Sequence, residues 1–360
     1  MYTILFILIL LIYSLDKSSN KKNYVGWITI FLIIIGGFRH FQIGTDTPGY
    51  IEAYLNAAHW NIPFENYFKK SEPLFYIYQD SLSKLNISYT IYLLCIAVFY
   101  YGVVCHFIRR YSKDSRLSFF IFIALGHFLF SMAGIRQTIA MGFQLLCFMS
   151  LLDKKYLKSV FFLLIACGFH ITSISFAVVY LLNYLPLNIP FICIMFALVM
   201  IGLTTGGDYA VQAAQFLWED ARVYEESDGG LSVFLILLVL SVFTILIYRK
   251  NHIKMKNYRK RHIMTSEDVI SDNGFSSLAI KMLLVALFFQ AVGTKQADTF
   301  RIAYMFDIVA IALIPNAIYK LRLDIRSVFY WVLIFLIILR FYLLILPVSP
   351  DFYPYKFFFE

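Results

Sequence analysis

The chain has 360 residues, 60% of them hydrophobic and 15% charged, with a mean hydropathy of +0.72; soluble domains carry about 25% charged residues. That balance excludes an ordinary soluble enzyme and leaves no polar stretch long enough for a separate soluble domain, so residues 1–360 read as a single transmembrane domain. A net charge of +9 would point to nucleic acid in a soluble protein, but here the basic residues gather between apolar runs, where membrane orientation accounts for them.

In chain order, apolar segments fall at 2–15, 24–38, 88–107, 117–133, 137–152, 188–204, 231–248, 278–293, 301–319 and 327–347. They predict an all-α polytopic membrane protein with about ten transmembrane helices. The first run has no basic residue before it and no small-residue cleavage site after it, so it reads as a retained span rather than a signal peptide. Lys17, Lys21 and Lys22 place the following connection in the cytoplasm, as do Arg109, Arg110, Lys113 and Arg116, and then Lys154, Lys155 and Lys158. Cys95, Cys105, Cys147, Cys167 and Cys193 lie inside apolar runs without metal-ligand spacing, which marks them as packing residues rather than a disulfide framework or a zinc site.

The connection 39–87 is an exoplasmic loop of about fifty residues, and loops of that length are usually functional. It opens with Phe38-Arg-His-Phe-Gln-Ile-Gly-Thr-Asp-Thr-Pro-Gly-Tyr50 and later carries Ser71-Glu-Pro-Leu-Phe75. Glu72, before Pro73, reads first as the N-cap of the next helix and second as a site carboxylate. Arg136 interrupts the apolar stretch from Leu117 to Leu152; a guanidinium at a bilayer boundary costs a few kcal/mol unless solvated or paired, so its presence is a functional hypothesis.

Further along, segment 249–277 is strongly basic and therefore cytoplasmic. Segment 205–230, with Asp208, Glu219, Asp220, Glu225, Glu226 and Asp228 against Arg222 alone, is exoplasmic and, around Trp218, a second surface for a large ligand. Both assignments hold only if 158–184 begins and ends in the cytoplasm, as a re-entrant helical hairpin bent at Cys167-Gly-Phe-His170 with His170 at its buried tip. Non-helical backbone at that depth requires a polar pocket around it. Arg39, Asp46, Arg136 and Arg301 then share the exoplasmic side. The cluster Arg249, Lys250, Lys254, Lys256, Arg259, Lys260 and Arg261 reads as a cytoplasmic loop ahead of a site for RNA or acidic lipid.

Three arginines and a histidine converging on one exoplasmic cavity make a site for an anion, because guanidinium groups bind phosphate oxygens in bidentate fashion. In a membrane the natural anion is a diphosphate carrying a polyprenyl tail. Asp46 adds a carboxylate close in sequence to Arg39, to act as a general base or to neutralise that arginine. A transporter or flippase for the same lipid carrier could use the same arginines, although a single break and no internal repeat count against it. A ligase that moves a finished glycan onto an acceptor is the other alternative.

The order and spacing of several motifs resemble the EpsG family of Wzy-type polysaccharide polymerases, which includes O-antigen polymerases. They are Gly37-Phe-Arg-His40, Ile43-Gly-Thr-Asp-Thr47 with Tyr50, Ser71-Glu-Pro73, Gly134-Ile-Arg-Gln-Thr-Ile-Ala140, Leu164-Ile-Ala-Cys-Gly-Phe-His170 with Ile171-Thr-Ser173, and Phe300-Arg-Ile-Ala-Tyr304 leading to Pro315. The resemblance implies a glycosyltransferase that joins undecaprenyl-diphosphate-linked oligosaccharide repeats at the outer face of the bacterial cytoplasmic (inner) membrane, with no cofactor, nucleotide sugar or metal. It implies that Arg39, Arg136 and Arg301 hold the diphosphates, where negative charge grows in the transition state. Asp46 and then His170 are the candidate bases, with Gln137, Glu72 and Tyr304 supporting. The partners it implies are the lipid-linked oligosaccharide, membrane lipids and a polysaccharide chain-length regulator, with no nucleic acid.

Overall fold

Helices account for almost all of the regular structure in the computed structural model, which describes residues 23–59, 62–206, 230–259, 267–296, 299–340, 342, 350–352 and 354–360. The expected first span at 2–15, Lys17, Lys21 and Lys22, and most of the acidic segment 205–230 lie outside the described residues. Among the described residues there is no β-strand, only an isolated bridge between Arg39 and Phe357. Among the described residues five helices are long and apolar enough to cross a membrane, or up to seven if each of two bent pairs counts as one span. Shorter apolar helices at Tyr24–Gly37, Tyr156–Phe169, Ile171–Tyr184 and Ile325–Leu336 match further expected segments.

The helices divide between two compact units, one made of residues 1–174 with 331–360 and the other of 175–330. In the first unit α1 is Asn23–Gly37, α2 Thr47–Ala57, α3 Phe64–Tyr67, α4 Pro73–Lys84, α5 Tyr89–Tyr111, α6 Ser115–Ala124, α7 His127–Ala133, α8 Ile135–Leu152 and α9 Tyr156–Phe169. Helix α5 starts on a Ser88 cap, whose hydroxyl accepts from the Ile91 amide at 3.4 Å, and ends with Arg109 and Arg110, cations that complement the carbonyl end of a helix. Arg110 forms a two-pronged pair with Asp153, just past the C-terminus of α8, so the two helix ends expected in the cytoplasm are tied together.

The long connection 39–87 is not an open loop, since α2, α3 and α4 fold inside it. Ile51 and Tyr54 of α2 and Phe75 of α4 are buried with Tyr92, Leu93 and Ile96 of α5 and Ile135 and Ile139 of α8 in one apolar cluster. Ser83 donates to the Tyr54 carbonyl at 2.6 Å and Tyr67 to Asp80 at 2.6 Å. Sequence reasoning takes such a stretch for a loop because each of its helices is short and its apolar stripe narrow; only the neighbouring spans complete the core. By contrast Leu157, Phe161 and Leu164 on α9 point outward, Leu157 being 90% exposed, as suits a face against hydrocarbon.

Helices α6 and α7 form one of the bent pairs, turning by 54° at Gly126, whose φ of +88° only glycine adopts without strain. In the second unit a 3₁₀ segment, Ile171–Ala177, straddles the division and leads into α10, Val178–Tyr184. Then come α11 (Ile189–Ile201, continued by a π turn at Gly202–Gly206), α12 (Gly230–Arg259) and α13 (Glu267–Gly293). Helices α14 (Phe300–Asp307) and α15 (Ala310–Tyr319) make the other bent pair at 47°, and α16, Leu323–Arg340, straddles the division after Tyr330. The bends at Gly126 and at Ile308 add to the break expected near His170, so the chain is interrupted more often than the sequence reading held. Helix α12 also runs on into the basic segment and α13 starts within it, because no glycine or proline stops a helix between Arg249 and Arg259. Lys281, buried on α13, donates to the Leu182 and Leu185 carbonyls, the latter at 2.7 Å, and so satisfies the end of α10.

Candidate active site

Proline at the first position of α4 sets the helix start, and Glu72 occupies the N-cap position before it with φ −131° and ψ 64°. Its side chain does not cap the helix, as first expected, but turns inward. There Oε2 accepts from Nη1 of Arg136 and Oε1 meets Nδ1 of His170 at 2.7 Å, while the Ile171 amide also donates to Oε1 at 3.3 Å. A carboxylate that is 3% exposed is costly unless paired and hydrogen-bonded, and these three donors meet that cost. Burial pushes the Glu72 carboxyl up, but the His170 hydrogen bond, the Arg136 charge and the Ile171 amide outweigh it and hold the group below the usual carboxylate range.

Arg136 is the second residue of α8, directly after the α7–α8 break at Gly134. Its Nε donates to the Tyr50 hydroxyl at 2.9 Å, and its guanidinium carbon lies 5.4 Å from the Tyr50 ring centre and 5.7 Å from that of Phe75. Two aromatic rings and a carboxylate thus surround the guanidinium, while Nη2 has no hydrogen bond among the described residues and the side chain is 34% exposed. Burial raises the Tyr50 hydroxyl pKa despite the opposing Arg136 charge, keeping it a neutral donor and acceptor.

His170 ends α9 in extended backbone, φ −154° and ψ 114°. The break thus falls at the residue the sequence indicated. Main-chain bonds hold it on both sides, its amide to the Ala166 carbonyl at 2.9 Å and its carbonyl from the Ser173 amide at 3.0 Å. The structure therefore brings Arg136, Glu72 and His170 together in one unit, with Tyr50, which sequence reasoning had quoted only as part of a motif. Asp46 stands one helical turn ahead of Tyr50, whose amide donates to the Asp46 carbonyl at 3.2 Å, and its charge is felt at the Tyr50 hydroxyl. Gln137 is buried beside Arg136.

Arg39 is arranged differently. It is 3% exposed, and its guanidinium donates to the carbonyls of Gly36, Ile43 at 3.3 Å and Met132 at 3.1 Å. Thr47 donates to the same Met132 carbonyl at 2.7 Å, and Gly44 packs against it with φ +105°, leaving no room for a side chain. Arg39 thus clamps the 39–47 segment onto the α7–α8 break. The segment is held from the other side by main-chain bonds from His40 to Lys356 at 3.0 Å, Phe358 to Phe38 at 2.9 Å and Gly44 to Asp351 at 3.1 Å. Arg301 and Tyr304 lie on α14 in the second unit, half-buried, with Tyr304 edge-on to Phe300 at 5.8 Å.

Residues 22–357 match the model of the EpsG family. The chain belongs to the EpsG family. Nearly the whole chain is covered, and the family includes Wzy-like polymerases. Neither a curated protein nor a solved structure matches this EpsG-family chain. Membership joins its apolar helices in making it a membrane protein, of a family that includes polysaccharide polymerases.

Proposed function

We propose that the protein is a Wzy-type polysaccharide polymerase, a glycosyltransferase joining undecaprenyl-diphosphate-linked oligosaccharide repeats at the periplasmic face of the bacterial inner membrane. One observation carries this reading: in a chain of this family, a partly exposed arginine and a histidine both bind one buried glutamate. That arrangement sets an anion-binding group next to a proton acceptor, the two functions the transfer needs. An acceptor hydroxyl attacks the anomeric carbon of the donor through an oxocarbenium-like state, and a diphosphate departs. Arg136 stabilises the charge that grows on the leaving diphosphate, and Asp46 or His170 takes the hydroxyl proton.

Under this reading Arg301, with Tyr304, holds a lipid-linked diphosphate, and Arg39 keeps the segment that leads from Asp46 into α2 and Tyr50 in place. The protein crosses the membrane about ten times, with the site in an exoplasmic cavity open to lipid. A chain-length regulator is the expected protein partner. The test is the glycan profile of cells lacking the protein, complemented with wild type, Arg136→Ala or Arg301→Ala after membrane insertion is checked. A ladder that collapses to single repeats and returns only with wild type is expected; unchanged chain length in both variants would end the proposal.

The two bent helix pairs favour a second reading, a flippase for the same lipid carrier, because transporters build their sites from broken helices. Its loss would leave lipid-linked repeats stranded on the cytoplasmic leaflet. Loss of a ligase would instead leave long chains on the carrier.

A further inference from the structure

The two oxygens of Glu72 serve different partners. Oε2 receives Arg136, whereas Oε1 receives Nδ1 of His170 and the amide of the very next residue, Ile171. When one ring nitrogen of a neutral histidine is committed to a carboxylate, the proton resides there and the lone pair is on the other. For His170 that other nitrogen is Nε2, which has no hydrogen bond among the described residues, on a side chain 17% exposed. The ring cannot easily turn away. Its backbone is held from both sides, and the same oxygen that binds the ring binds the following amide.

We propose that Glu72 is the positioning residue of a Glu72–His170 dyad and that Nε2 of His170 is the catalytic base, an inference that rests on the polymerase reading. Nε2 takes the proton of the acceptor hydroxyl as the oxygen's electron pair forms the bond to the donor's anomeric carbon. The bond from that carbon to the diphosphate oxygen breaks, and its electron pair leaves with the diphosphate, facing Arg136. The imidazolium that forms is stabilised by Glu72 and later releases its proton to water. A base works best when its affinity for protons matches the working pH, and imidazole is the side chain nearest to that condition. Because Glu72 also fixes Arg136, one carboxylate aligns the group that receives the proton with the group that receives the leaving charge.

The experiment uses full-length protein in proteoliposomes with a lipid-diphosphate-linked repeat as substrate, comparing wild type, His170→Ala, Glu72→Gln and the double variant. His170→Ala should lose about 10²–10⁴-fold in kcat, the usual range for a general base, with KM for the lipid-linked repeat changed only a few-fold. Added imidazole should restore part of that kcat in a saturable manner, and should fail to do so when Glu72→Gln is also present. A purely structural role for Glu72 and His170 would not give that rescue. A wild-type ladder together with no rescue, or with equal rescue in both backgrounds, overturns the dyad. Acetate restoring Asp46→Ala while imidazole leaves His170→Ala inert would move the base to Asp46. Should His170→Ala fail to fold, His170→Asn gives the same decision, since an amide can keep the bond to Glu72 without acting as a base: retained kcat overturns the proposal. A wild type that makes no ladder refutes the polymerase reading itself.

Discussion

Replacing Arg136 by lysine keeps the charge and removes the fork. In the native protein Nε is used by Tyr50 and Nη1 by Glu72, so Nη2 is the nitrogen left for a ligand. A lysine has one nitrogen for all three tasks. Bound to Glu72 it abandons Tyr50 and the ligand; turned to the ligand it strands the carboxylate. Each hydrogen bond to a charged group is worth about 1.5–3 kcal/mol, so losing one in the transition state lowers kcat/KM about 10- to 150-fold at 1.4 kcal/mol per decade. Arg136→Ala also removes the charge opposite the leaving diphosphate and should fall further, by about 10²–10³. The assay is the rate of ladder formation from lipid-linked repeats in proteoliposomes, with melting temperature as the control for folding. Lysine preserves a cation beside Glu72, so its melting temperature should stay near that of wild type. A lysine variant with wild-type kcat/KM would refute the reasoning, because Arg136 would then serve only to neutralise Glu72.

Gly44→Ala should destabilise the first unit, since a β-carbon there would lie 2.3 Å from the Met132 carbonyl oxygen at φ +105°; proteolysis of the 39–47 segment should accelerate, and an unchanged digestion rate would count against the clamp. The depressed carboxyl of Glu72 makes a stabilising contribution that is complete above the ordinary glutamate range and disappears as pH falls through the lower folded value. The melting temperature of the detergent-solubilised protein should therefore drop on acidification in wild type with a steeper slope than in Glu72→Gln, and equal slopes would contradict the assignment. A cysteine at Tyr184 should resist membrane-impermeant maleimide applied from outside intact cells; labelling there would exclude a hairpin over 158–184.

Much of this architecture is visible in the sequence because its signals are local. Apolar runs mark the spans, Arg136 stands out against its apolar neighbours, and Cys167-Gly-Phe-His170 marks the break where α9 ends. What is not local stayed hidden. Glu72 is 64 residues from Arg136 and 98 from His170, and nothing about a glutamate before a proline distinguishes a cap from the centre of a site. Arg39 and Arg136 look alike in sequence, each a cation next to a span, yet one is buried among main-chain carbonyls and the other is held by side chains and partly exposed. The helices inside 39–87 are stabilised by Tyr92, Ile96 and Ile135, residues of the spans themselves, so a window confined to the connection could not reveal them.

The bonds joining Phe38, His40 and Gly44 to Phe358, Lys356 and Asp351 impose a rule of parity on the membrane path. Main-chain groups that pair directly lie on one face of the bilayer, so the chain crosses an even number of times between them. If each of the apolar segments expected at 88–107, 117–133, 137–152, 188–204, 231–248, 278–293, 301–319 and 327–347 crosses once, they form an even set. A single passage over 158–184 would make the total odd. Helix α9 carries the chain from Lys155 to His170, beside Glu72, and on that count the stretch that follows is expected to return it to the face it came from. Two short passages satisfy the count, and a pair of hydrogen-bonded ends thereby constrains the route of everything between them.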